Sequence, residues 1–102
     1  MMKVVMYIGL NDQATKRQEI TTKEALDAVV EIILPEAGGA TISDARGIYT
    51  HEDGTTVVEN TIRAELFDPP AEVIRRIVKK LKKRLNQESI AVERQEVNTV
   101  FM

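Results

Sequence analysis

Tyr7, Asp44, Arg46, Glu59 and Arg63 are the residues of this chain with the clearest capacity for chemistry. Carboxylates beside arginines, with a phenol nearby, suit recognition of a charged metabolite or acid–base work. Alternate residues on neighbouring strands project from one sheet face within reach of each other, which is how five positions so scattered in sequence could meet. The five are the candidate ligand-binding set, and none is assigned as catalytic. The same residues would also make a surface salt-bridge lattice or a contact between two copies. A small enzyme built on this cluster is the alternative.

His51-Glu52-Asp53 gathers an imidazole and two carboxylates, groups that can hold a divalent cation. A solvated turn with the side chains pointing apart is the simpler expectation. His51 is the only histidine and there is no cysteine. That removes disulfides, thiolate chemistry, histidine-rich zinc sites and a triad with a second histidine from a single chain. No metal and no cofactor is expected.

The net charge of -2 hides an asymmetry, because Arg75, Arg76, Lys79, Lys80, Lys82, Lys83 and Arg84 crowd one stretch while the rest of the chain is acidic. Phosphate or nucleic-acid binding through these cations is a further alternative. The acidic remainder and the lack of paired stacking aromatics argue against RNA on a sheet of this kind. By analogy of fold alone, the loop Gly9-Leu10-Asn11-Asp12 after the first strand is a second place for a small ligand.

The elements that must carry these residues follow from periodicity. Lys3 to Leu10 alternates and reads as a central strand, apolar on both faces. Asn11 to Ile20 is a long polar loop. Thr21 with Glu24 forms a capping box, and Leu26, Val29, Val30 and Ile33, widened by Ala25, Ala28 and Ile32, make the stripe of a helix ended by Pro35 and Gly38-Gly39. Gly39 to Asp68 reads as a long hairpin turned at Asp53-Gly54. Two-residue and four-residue loops both put Val58, Ile62, Ala64 and Leu66 on the core face and Ile42, Asp44, Arg46 and Ile48 on the other, with Glu59 and Arg63. An odd slip would set Asp44 opposite Ile62.

After the hairpin, Asp68 caps a second helix with Pro69 at its first position and a stripe of Ile74, Ile77, Val78, Leu81 and Leu85. Glu88 to Met102 completes the sheet, with Ile90 and Val92 inward. Strand, helix, strand, strand, helix, strand predicts a ferredoxin-like βαββαβ sandwich: α+β, a four-stranded antiparallel sheet with two helices on one face. Residues 1–102 form one such domain.

Asp44-Ala45-Arg46-Gly47, the hairpin, and Lys83-Arg84-Leu85-Asn86-Gln87-Glu88-Ser89 resemble a small bacterial family of domains of unknown function. The resemblance implies ferredoxin-like topology, and the family has no assigned activity to carry over.

Val5, Tyr7, Ile42 and Ile48 are expected on a sheet face that nothing else in the chain covers, which predicts a homo-oligomer, a dimer first of all, with room for a small-molecule pocket. The apolar tail Val97 to Met102 is a second surface for self-association. With 43% hydrophobic and 29% charged residues and no apolar run of membrane-spanning length, a soluble cytoplasmic protein is expected, with no membrane partner and with nucleic acid only as the alternative above.

Overall fold

Strand β1 (Met2–Gly9) stands in the interior of the sheet of the computed structural model, which describes Met1–Met102. It is followed by α1 (Thr22–Ala37), β2 (Thr41–Thr50), β3 (Thr56–Phe67), α2 (Ala71–Arg84) and β4 (Ala91–Glu96). The sheet order is β2-β3-β1-β4 and every neighbouring pair is antiparallel. This is the ferredoxin-like arrangement. Val4, Met6 and Ile8 of β1 and Ile62, Ala64 and Leu66 of β3 form one layer of the core. Ala25, Val29 and Ile33 of α1 and Ile74, Ile77 and Leu81 of α2 form the other. Each large side chain sealed there contributes about 1.5–3 kcal/mol. No helix is long and apolar enough to cross a membrane.

The Thr21 hydroxyl oxygen accepts the Glu24 N–H at 3.1 Å and donates to the Glu24 carboxylate at 3.0 Å, so the predicted cap forms. Pro35 does not end α1. It sits in the last turn, where the carbonyl its ring leaves unpaired can meet solvent. The helix stops at Gly38, whose φ of 78° suits glycine and whose N–H donates to the Leu34 carbonyl at 2.9 Å. Val30 and Leu34 fall on the exposed flank of α1, and Ala25 and Ala28 take the buried positions. Nor does Asp68 cap α2, which starts after Pro70 with no side-chain cap. Asp68 exchanges two hydrogen bonds with the backbone of Met2, at 2.6 and 2.7 Å, and so fastens the end of β3 to the start of β1.

The hairpin departs from the expected register by one residue. Glu52-Asp53-Gly54 is a three-residue loop: the His51 N–H donates to the Thr55 carbonyl at 2.8 Å, the Gly54 N–H to the His51 carbonyl at 3.0 Å, and Gly54 takes a φ of 88°. An odd loop reverses the parity that loops of two or four preserve. Asp44 therefore pairs with Ile62, Arg46 with Asn60 and Ile48 with Val58, all on the helix side, while Ser43 pairs with Arg63 and Gly47 with Glu59 on the open side.

The open face differs accordingly from the expectation. Ile42 and Ile48 are not on it, and Val5, which is, has 0% of its surface exposed between its cross-strand neighbours Glu65 and Glu93. Glu65 also pairs with Arg63, and with Lys3 at 3.9 Å, so the surface is a charged lattice. Tyr7, as expected, is on this face and partly exposed, as are Tyr49 and Phe67; more uncovered apolar surface lies elsewhere, at Ile48 and Val58 on the hairpin and at Val100 and Phe101 beyond β4. Strand β4 itself is shorter than the predicted Glu88 to Met102.

Much of the positive charge of α2 is structural. Arg76 and Lys80 both grip Glu36 of α1, at 2.8 and 2.7 Å, and Arg84 reaches Glu31 at 3.4 Å. The paired cations hold the Glu36 carboxyl below its ordinary value.

Candidate functional site

Gly9 ends β1 on the open face, and its missing side chain is the starting point of the site. A Cβ there would stand 2.6 Å from a Glu59 carboxylate oxygen, so glycine is what lets Glu59 fold over the end of the strand. One Glu59 oxygen accepts the Asn11 N–H at 2.8 Å, and the other lies 3.4 Å from the Tyr49 hydroxyl. Burial first, and the Glu59 charge second, push the Tyr49 phenol up from its ordinary value.

The loop after β1 forms the next wall, and it is folded. The Asp12 carboxylate accepts the N–H groups of Ala14 and Thr15 at 2.8 and 3.2 Å and the Asn86 amide at 2.9 Å. These contacts, Asn86 foremost, keep the Asp12 carboxyl below its ordinary value. Gln87 is buried and donates to the Asn11 carbonyl at 2.7 Å. Asn86 and Gln87, which by sequence only close α2, thus also hold Asn11 beneath Glu59. An Asn at a helix end in the left-handed region, φ 47° here, is their one local signal.

Glu59, Tyr7, Tyr49 and Asn11 line a pocket of about 320 Å³ at this end of the open face, with His51 and Gln87 at its margins. Tyr7 and Glu59 of the sequence-derived set meet here. Arg63 is beside them on the same face, its guanidinium 5.8 Å from the Tyr7 ring centroid, but it pairs with Glu65 and does not line the pocket. Asp44 and Arg46 are on the far side of the sheet, in a separate hollow with Thr22 and Asn60. The five residues do not form one cluster, because the odd hairpin loop turns the two of β2 away. Gly9 and Asn11, from the loop after β1 that analogy of fold offers as a second place for a ligand, complete the pocket together with Tyr49, which pattern reasoning left out.

The turn residues disperse. Asp53 accepts the Thr55 N–H at 2.9 Å, the His51 ring packs edge-on to Tyr49 with centroids 5.3 Å apart, and no three metal-ligating side chains converge anywhere in the chain.

Among solved structures, the chain is similar to a phage SAM lyase in complex with S-methyl-5′-thioadenosine, at 24% identity and a TM-score of 0.64, over 93% of this chain and 80% of that one. It is similar to CutA1 from Pyrococcus horikoshii at 19% identity and TM-score 0.60, over 99% and 87% of the two chains. For the PII-like protein CutA from Nostoc sp. PCC 7120 the values are 16% and 0.51, over 96% and 82%. No protein-family model matches the chain, and no curated protein matches it in sequence. At these identities the likeness is one of fold, and it marks the chain as a small ferredoxin-like domain.

Proposed function

We propose that this chain is a self-associating domain that binds a small polar ligand in the Glu59 pocket. The observation that carries this is the seat of Glu59: a half-buried carboxylate lodged where only a glycine leaves room, with one oxygen held by the Asn11 N–H and the other turned toward Tyr49. A salt-bridge lattice has no need of such a seat, whereas a ligand with hydroxyls or a cationic centre does. The carboxylate would accept hydroxyl protons or face the positive charge, and the Tyr7 and Tyr49 rings would flank a planar group. A nucleoside combines these features.

S-methyl-5′-thioadenosine, carried by the phage SAM lyase of similar fold, is therefore the first probe, with S-adenosylmethionine beside it. Isothermal titration should give saturable binding that Glu59→Gln weakens at least tenfold, about 1.4 kcal/mol. Absence of binding by both compounds would remove the nucleoside, and equal binding by the variant would remove Glu59.

The likeness to a lyase also supports catalysis at the same pocket, with Glu59 as the carboxylate facing the substrate's charge. Formation of S-methyl-5′-thioadenosine from S-adenosylmethionine, abolished in Glu59→Gln, would establish it. Ligand binding without turnover would reject it.

Self-association draws support from Ile48 and Val58, cross-strand partners that are 71% and 58% exposed. The short motifs Asp44 to Gly47 and Lys83 to Ser89 keep the bacterial family of unknown function within this reading.

A further inference from the structure

We infer that the outer half of β2 in one copy adds to the free edge of β4 in a second copy. This rests on the self-association proposed above and names its two surfaces. Strands β2 and β4 are the opposite edges of the sheet, so each presents unpaired backbone groups along one side.

The edge of β4 has a prepared bed beside it. Between α2 and β4 lies a groove of about 670 Å³ with Ile74, Val78 and Val92 beneath it. Arg75, Lys79, Lys82 and Arg94 also line it, and none of them is in an ion pair within the chain. A strand added to β4 would hang its helix-side residues over this groove, because successive side chains alternate between faces.

The outer half of β2 fits that position. Its helix-side residues are Arg46, Ile48 and Thr50, and Ile48 is largely uncovered, whereas Ile42 further along packs against the core. The region is also a two-stranded ribbon, since β1 pairs with β3 only over Thr61–Phe67. Such a ribbon is marginal alone, and a third strand supports it. Charge agrees: Glu52 and Asp53 at the ribbon's tip would approach the cations of the groove.

Because the edges lie on opposite sides of the sheet, the contact repeats head to tail. Such a contact gives a ring of three or more copies where the rotation closes and an open filament where it does not, in place of the two-fold dimer expected from the sequence.

The chain has no cysteine, so Ile48→Cys and Val92→Cys can be made singly, mixed and joined with a short bis-maleimide. The mixed product should exceed that of Ile48→Cys with Val30→Cys, an exposed control site on α1, by about tenfold. Ile48→Glu, at an exposed position that folding tolerates, should reduce the assembly to monomers with an unchanged circular dichroism spectrum. Light scattering separates the two levels of failure. A wild-type monomer at micromolar concentration would overturn both self-association and this contact. A two-subunit mass, or an oligomer without the Ile48–Val92 product, would overturn this contact alone. So would an oligonucleotide that occupies the groove of the assembled protein and is lost on Arg75→Ala.

Discussion

The Glu59 carboxylate accepts the Asn11 N–H at 2.8 Å across the space a side chain on Gly9 would fill. Two strands and the loop after β1 are joined at that contact. Because the atoms facing Gly9 are the far end of a flexible side chain, Gly9→Ala should leave the fold intact and swing Glu59 outward. The Asn11 N–H then loses its acceptor, at a cost of about 0.5–1.5 kcal/mol. Denaturant unfolding of Gly9→Ala, Glu59→Ala and the double variant should show coupling, with the double variant costing less than the two single changes together. Additive losses would mean that Gly9 and Glu59 are not geared.

Tyr49 supplies a spectroscopic report on the same contact. In a Tyr7→Phe background it is the sole tyrosine, and its phenol should ionise above its ordinary value of 10.0 because of burial and the Glu59 charge. Adding Glu59→Gln removes the charge and should shift the ultraviolet titration downward, though not fully, since burial persists. An unchanged curve would place Glu59 away from the phenol.

The clamp of Glu36 on Arg76 and Lys80 should make the packing of the two helices depend on pH. The folded carboxyl lies below its ordinary value of 4.5, so its stabilisation is present above that value and is lost as pH falls through the lowered one. Wild type should melt higher than Glu36→Gln at pH 7, and the gap should close in acid. A gap that persists in acid would show that the amide fails for reasons of packing.

The Thr21 cap is testable in isolation. Thr21→Ala should cost about 1 kcal/mol in denaturant unfolding, because the Glu24 N–H loses its acceptor in an exposed first turn. A loss near zero would mean that water replaces the hydroxyl.

The topology was legible because each element announces itself locally: Thr21 and Glu24 start α1, the stripe from Ile74 to Leu85 marks α2, and the alternation around Val4 marks β1. The candidate site was legible only in part, because it depends on parity. Asp53-Gly54 signals a tight turn equally well whether the loop holds two residues or three, and that one residue decides whether Asp44 and Arg46 share a face with Glu59. Asn11 was reached only through analogy of fold, as part of the loop Gly9-Leu10-Asn11-Asp12, and Gln87 was hidden, because a backbone N–H and an amide brought together by folding leave no periodic trace.

Native mass spectrometry of the full chain bears most directly on the central proposal, since it counts subunits and weighs any retained small molecule together. Wild type should appear as an assembly whose subunits each hold a ligand, and Glu59→Gln should keep the same subunit count while losing that mass. A bare wild-type monomer, or a variant that retains the ligand as well as wild type does, would contradict the account.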